Sequence, residues 1–213
     1  MNASTERLTL QGPAGAIEVL RDTPDAAVPA RGVAVIAHPH PLFGGTMDNK
    51  VVQTLARAFV QCGWTAVRFN FRGVGASAGV HDEGRGEAED FGIVVAQLAG
   101  DGPLALAGFS FGAFVASRAL AELPPGRAVD QLVLVGTAAS RFDVAPIPPG
   151  LHVRTLVVHG EQDDTVPLSA VLDWARPQSL PVTVVPGGGH FFHGQLPLLK
   201  GLVVRHLQAA APV

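Results

Sequence analysis

Gly108-Phe109-Ser110-Phe111-Gly112 stands between Leu104-Ala105-Leu106-Ala107, an apolar run short enough for a buried strand, and Ala113-Phe114-Val115-Ala116-Ser117-Arg118-Ala119-Leu120, which has helical character. A serine at a strand-to-helix turn, flanked on both sides by glycine two residues away, has the form of a nucleophile elbow. Such a turn holds the serine in a strained backbone conformation, and the glycines let neighbouring backbone approach without a Cβ clash. Five residues of this pattern also occur by chance as an ordinary tight turn. The flanking strand and helix select the elbow.

Working outward, the sequence alternates strands and helices. Leu8–Gln11 and Ala16–Leu20 flank Gly12-Pro13-Ala14-Gly15, the pattern of an antiparallel hairpin. Val33–Ala37 is a continuous apolar run, as in a strand covered on both faces. Residues 48–62 carry Val51, Val52, Leu55, Ala58, Phe59 and Cys62 at helical spacing, and Gly63 stands where a helix end is often closed. Ala66–Phe71 is the next predicted strand, and Phe91, Val94, Val95 and Leu98 mark a helix before the elbow strand. Beyond it come strands at Gln131–Val135, Thr155–Val158 and Val182–Val185, with helices near 168–175 and 194–209. The expected fold is α/β: a mostly parallel twisted sheet of about eight strands, opened by an antiparallel hairpin and covered by helices on both faces. No internal repeat or linker divides residues 1–213, so one domain is expected.

Composition narrows the partners. With 47% hydrophobic and 15% charged residues the chain can bury a sizeable core. A net charge of −3 and the lack of any basic run argue against nucleic acid or an anionic membrane surface. Met1–Arg7 has no signal-peptide layout, and no apolar run reaches the length of a membrane span. Cys62 is the one cysteine, so no internal disulfide forms, and a cytoplasmic location is expected. Its place in a helical pattern makes it apolar filler.

A serine hydroxyl is a poor nucleophile near neutral pH and needs a base held by a carboxylate. In open parallel sheets functional groups gather beyond the carboxyl ends of strands. Two later strands run into suitable residues: Thr155–Val158 into His159-Gly160-Glu161-Gln162-Asp163-Asp164, and Val182–Val185 into Pro186-Gly187-Gly188-Gly189-His190. The chain order is serine, acid, histidine. At this point Asp163 and Asp164 are both open as the acid, and either is also an ordinary solvated turn residue. His190 reads as the base. His193, three residues on, is the weaker candidate.

Gly108-x-Ser110-x-Gly112, Gly160-x-x-Asp163-x-x-Val166-Pro167 and Gly189-His190 together resemble the α/β-hydrolase superfamily, as does the loop Arg72-Gly73-Val74-Gly75-Ala76-Ser77. The stretch His38-Pro39-His40-Pro41-Leu42-Phe43-Gly44-Gly45-Thr46-Met47-Asp48-Asn49-Lys50 resembles a group of small bacterial serine hydrolases that lack a lid domain. The resemblance selects Asp163, with Asp164 as fallback, and implies a Ser110–His190–Asp163 triad acting through an acyl-enzyme. It also implies an oxyanion hole from the backbone N–H groups of Phe111 and, two residues past the first histidine, His40. Pro39 and Pro41 have no N–H, which leaves Leu42 as the alternative. His159 then reads as structural, and His81, His152 and His206 as surface residues.

In that superfamily a lid enters between the strands ending near Val135 and beginning near Thr155. Here the interval holds fewer than twenty residues, with Pro146, Pro148 and Pro149 among them, too few for a helical cap. An open cleft walled by Leu42, Phe43, Phe109, Phe111 and Phe191 is expected, suited to small or medium acyl esters as substrate partners. Activity should fall as pH drops through the range of an ordinary imidazole, roughly 6–7. Thioester or peptide cleavage would use the same machinery.

Arg72-Gly73-Val74-Gly75 lacks a P-loop lysine, and Ala78 breaks Gly-x-Gly-x-x-Gly, so it reads as a turn beside the elbow. Two other classes compete. His38-x-His40 with His190 or His193 and Asp163 is the donor set of a zinc hydrolase, but it would leave the elbow unexplained. A non-catalytic binding module on this fold would usually have lost a triad member, and this chain keeps all three. No cofactor and no metal are expected.

Overall fold

The computed structural model describes residues 4–209. Its sheet has eight strands: β1 (Ser4–Gly12), β2 (Gly15–Thr23), β3 (Gly32–Ala37), β4 (Trp64–Phe69), β5 (Leu104–Phe109), β6 (Gln131–Val135), β7 (Thr155–Gly160) and β8 (Val182–Val185). Their spatial order is β1-β2-β4-β3-β5-β6-β7-β8. β1 and β2 form the antiparallel hairpin, β2 runs antiparallel to β4, and every later pairing is parallel. The helices are α1 (Lys50–Gln61), α2 (Arg85–Leu98), α3 (Phe111–Glu122), α4 (Leu168–Ala175) and α5 (Leu196–Ala209).

The two sheet faces follow from the period-2 alternation of strand side chains. Val35, Leu104, Leu106, Leu132 and Leu134 point to one face, where Phe91, Val94 and Val95 of α2, Ala113, Val115 and Ala116 of α3, and Val171 of α4 cover them. Ala34, Ile36, Ala105, Ala107, Phe109, Val133 and Val135 point to the other, under Val52, Leu55 and Phe59 of α1 and Leu199, Val203 and Leu207 of α5. Both faces are buried, which is why β3, β5 and β6 read as unbroken apolar runs. Cys62 lies in the second layer with its thiol pKa raised by burial. Asn49 caps α1 by accepting the N–H of Val51 at 2.9 Å, and Gly63 ends it at φ 86°, where a side chain would be strained.

The strand expected over Ala66–Phe71 begins at Trp64 and ends at Phe69. The N–H of Phe71 leaves the ladder to bond the buried His38 ring at Nε2 (3.0 Å), so the chain turns there. The Arg72–Ser77 loop is held from two sides. Arg72 forms a two-pronged pair with Asp90 of α2 (2.8 and 2.9 Å), while Ser77 accepts the Glu18 N–H of β2 at 2.9 Å. The loop is therefore tied to α2 and the hairpin, and Phe71, which leads into it, packs edge-on against Phe111 of the elbow at a centroid distance of 5.6 Å.

β3 leads through α1 to β4 on one side, whereas β5 to β8 extend to the other. The loops after β3 and β5 thus part at a topological switch point, where a crevice opens beyond the strand carboxyl ends. His38–Gly45 and Ser110 leave their strands at that crevice. Among the described residues no helix is long and apolar enough to cross a membrane.

Candidate active site

Ser110 joins β5 to α3 with φ 58° and ψ −118°, a conformation in which a non-glycine residue is strained by about 1–3 kcal/mol. Its N–H donates to Val135 O (2.8 Å), fastening the turn to β6. A Cβ on Gly108 would lie 2.1 Å from Gly112 O, and one on Gly112 would lie 2.4 Å from Ala37 O. Only glycine lets the first turn of α3 sit against the ends of both β5 and β3. The sequence pattern is a steric requirement of the turn.

Five strands carry groups to the same rim. From the loop after β7, Asp163 Oδ1 accepts the N–H groups of Val166 (2.7 Å) and Thr165 (3.0 Å). This leaves Oδ2 to His190 Nδ1, from the loop after β8, at 2.7 Å. His190 Nε2 lies 2.9 Å from Ser110 Oγ. All three residues are buried, and Asp164 is exposed with no bond to His190. Burial works to raise the Asp163 pKa, but the hydrogen bonds from His190 and the Val166 N–H and the nearby imidazoles outweigh it, so the carboxyl titrates below its ordinary range. An ionised Asp163 fixes the Nδ1–H tautomer of His190 and turns Nε2 to the hydroxyl as acceptor.

His159 ends β7 behind this group. Its Nε2 donates to Val166 O (2.9 Å) and lies 3.4 Å from Asp163 Oδ2, while Nδ1 is buried without a partner. Burial lowers its pKa and keeps the ring neutral. It buttresses the Asp163 turn. His193 is exposed and meets Phe191, with no bond to Ser110 or Asp163.

In front of Ser110 and His190 lies a cleft of about 370 Å³, walled by Phe43, Phe111, Phe142 and Phe191 and bounded by the His40 loop. Two residues expected in its wall stand elsewhere. Leu42 projects outward, 69% exposed, onto a neighbouring depression. Phe109 is fully buried on the α1 face of the sheet, beneath the His190 ring at a centroid distance of 4.9 Å. The alternation of β5 decides this: Phe109 follows Ala105 and Ala107 to that face.

His40 and Phe111 both line the cleft, and among the described residues neither backbone N–H meets a protein acceptor. The Leu42 N–H is already given to His40 Nδ1 at 3.2 Å. The His40 ring sits against Phe43 and Phe111, each at a centroid distance of 4.8 Å. Burial lowers its pKa, as do the nearby His81 and Arg141, against the opposing charge of Glu87.

His81 is not a simple surface residue. Its ring lies 4.9 Å from that of His40, and its Nδ1 bonds the fully buried Glu87 carboxylate at 2.7 Å. Glu87 also accepts the N–H groups of Asp82 (2.9 Å) and Gly84 (2.8 Å), closing the start of α2. His152 and His206 are half-buried and bond the carbonyls of Ile147 and Arg154.

Sequence reasoning missed the segment after β6. Ala138, Arg141 and Phe142 form one side of the cleft, and Phe142 stacks on Phe114 of α3 at 4.7 Å. The rule that functional groups collect beyond strand carboxyl ends points to this segment as well, since it follows β6 directly. His38 does not join His40 as a ligand pair. Its Nδ1 donates to Pro39 O (2.6 Å) and its Nε2 accepts from Phe71, so both nitrogens are occupied by backbone. Among the described residues no group of three or more His, Cys, Asp or Glu side chains has the arrangement of a metal site.

Residues 29–152 match the family described as serine aminopeptidase, S33. Among solved structures, XC6422 from Xanthomonas campestris, described as an α/β serine hydrolase without lid, is 39% identical, with a TM-score of 0.87 over 100% of this chain and 98% of that one. An α/β serine hydrolase homologue from Coxiella burnetii is also 39% identical, with a TM-score of 0.80 over 95% and 97%. The uncharacterized protein RP471 of Rickettsia prowazekii is 31% identical over 87% of this chain and 82% of its own length. With the eight-stranded sheet, the chain belongs to the serine aminopeptidase S33 family of the α/β-hydrolase superfamily, and its structural relatives are serine hydrolases.

Proposed function

We propose that the protein is a carboxylesterase-type serine hydrolase of small to medium acyl esters. The observation that carries this reading is the run of two short contacts, 2.9 Å from Ser110 Oγ to His190 Nε2 and 2.7 Å from His190 Nδ1 to Asp163 Oδ2, at a strained elbow opening on a mainly apolar cleft. His190 Nε2 takes the Ser110 hydroxyl proton as Oγ attacks the ester carbonyl carbon. Asp163 holds the ring and stabilises the imidazolium that forms. The N–H groups of Phe111 and His40 receive the oxyanion, and the Phe111 donor is strengthened by its place at the N-terminus of α3. Collapse of the intermediate breaks the C–O bond, and His190 returns the proton to the leaving alcohol. A water, deprotonated by the same nitrogen, then attacks the acyl-enzyme and frees Ser110. Because the ring must start neutral, activity should fall at acidic pH.

The same steps cleave thioesters and peptides. An aminopeptidase, however, needs a carboxylate to hold the substrate's free ammonium group, and no Asp or Glu lines the cleft among the described residues. Ester cleavage is therefore the favoured chemistry. The test is hydrolysis of short p-nitrophenyl esters, with fluorophosphonate labelling of the serine, in wild type and Ser110→Ala. Labelling and turnover that both vanish in the variant support the reading. Turnover that survives in a folded variant overturns it.

A further inference from the structure

We propose that Arg141 makes a carboxylate-binding subsite at the mouth of the cleft, so that the substrate is an ester bearing a carboxylate. This rests on the serine-esterase reading above. Apart from the imidazoles of His40 and His190, Arg141 is the one ionisable side chain lining the cleft among the described residues, and its charge is positive. The remaining walls are largely aromatic.

The guanidinium is also unspent. Among the described residues Arg141 has no carboxylate within salt-bridge distance and its side chain gives no hydrogen bond, whereas Arg72 clasps Asp90 and Arg118 holds Glu122, each at 2.8 Å. The turn that carries it is fixed. Arg141 and Phe142 both donate their backbone N–H to Ala138 O at 3.1 Å, and the Phe142 ring lies between Phe114 and Phe111, 4.7 and 5.1 Å away. An anchored base with a free planar fork suits two-pronged recognition of a carboxylate.

Asp143 and Glu83 argue against a larger anion. They line the neighbouring depression, which shares His40, Phe43, Arg141 and Phe142 with the cleft and also holds Arg118 and His81. A polyphosphate reaching past Arg141 would meet two carboxylates there, while a single carboxylate stopping at Arg141 would not.

The test compares matched esters in wild type, R141Q, R141K and R141E. One pair places the carboxylate on the acyl side: the mono-p-nitrophenyl ester of adipic acid against p-nitrophenyl hexanoate. The other places it on the alcohol side: 4-butyryloxybenzoate against its methyl ester. The readout is the ratio of kcat/KM for the anionic ester to that for the neutral one, because intrinsic ester reactivity cancels between enzyme variants. In at least one pair R141Q should lower the ratio about tenfold or more, R141E further, and R141K less. Added salt should shrink the difference. A ratio that stays within about twofold of wild type across the variants in both pairs overturns the subsite. A wild type that hydrolyses none of the four esters, or a Ser110→Ala variant as active as wild type, sinks instead the esterase reading on which it rests.

Discussion

Two concavities of this molecule differ in a way that separates shape from chemistry. The larger, about 860 Å³, runs between α2 and α3 near the loop that follows Glu122, lined by Ile93, Ala96, Ala119, Leu123 and Pro124. The smaller, about 370 Å³, is the cleft over Ser110. The groove's side chains come mostly from two neighbouring helices and one loop, and no serine, cysteine or histidine lines it. The cleft draws residues from the ends of β3, β5, β6, β7 and β8, so groups far apart in sequence converge on a few ångströms. Convergence of polar groups, not volume, marks a reactive site.

The hardest test of that contrast is removal of the Ser110 hydroxyl, the proposed nucleophile. Ser110→Ala should lower kcat by about 10⁴–10⁶-fold with an unchanged urea midpoint or a slight gain, since alanine relieves little of the strain at φ 58°. An unfolded variant would be seen in the same denaturation curve. Asp163→Asn comes next, at about 10³–10⁴-fold in kcat with KM little moved. An amide donates as well as accepts, and the Val166 and Thr165 N–H groups already fix Oδ1 as the acceptor end. The NH₂ would then face His190 Nδ1 and favour the wrong tautomer. Full activity in Asp163→Asn would show that the 2.7 Å contact only shapes the loop.

What the sequence revealed of this contrast follows from how local each cue is. The elbow, the continuous apolar strands and α4 at 168–175 are written in consecutive residues, and each is found where the pattern placed it. Placing Asp163 rather than Asp164 against His190 required family spacing, because two adjacent carboxylates in a turn look alike until the backbone directs one inward. Leu42 and Phe109 show where locality fails. Both are apolar neighbours of site residues, yet one turns outward and the other follows strand alternation beneath the sheet. His81 and Glu87 were illegible for a related reason. Their contact joins a loop to the first turn of α2, and only the fold brings that pair beside His40. Arg141 and Phe142 belong to no motif, so nothing but their position after β6 marks them.

The two regions should also part under acid. The cleft rim is stitched by buried histidines, while the groove's ionisable residues are surface Glu, Asp and Arg. Burial holds His38 neutral with its pKa lowered to about 4, although its bond to Pro39 O opposes the shift. In the unfolded chain the same ring takes a proton near 6.5. Between these values the unfolded state binds the extra proton, so folding stability falls as pH drops from about 6.5 to 4 and levels off below. The loss due to His38 is roughly 3 kcal/mol at full extent. Asp163, whose pKa is lowered, adds to the acid loss below its unfolded value as its carboxylate protonates. Urea midpoints at pH 7 and pH 4.5 read the His38 part, and a further midpoint below the unfolded carboxyl range adds that of Asp163. Amide exchange at pH 4.5 should show the ends of β3 and β4 opening before α2 and α3. His38 resonances that titrate near pH 6.5 in the folded protein would refute the assignment.

The smallest effect tests the other half of the comparison, that the groove is chemically idle. Gly92 lies in the interior of α2, lines the groove, and has no heavy atom within 4 Å of where a Cβ would stand. Its φ is not in the left-handed region, so alanine fits the backbone as it is. Gly92→Ala removes a flexible residue from a helix interior and should raise stability by about 0.5–1 kcal/mol, or roughly 1–4 °C in Tm for a chain of this size. Ester turnover should not change, since Gly92 does not line the cleft and lies five residues along α2 from Glu87, whose carboxylate holds His81 beside His40. A Gly92→Ala protein that gained stability but lost turnover would mean that the groove and the cleft are coupled through α2. The larger concavity would then have to be read as part of the working site.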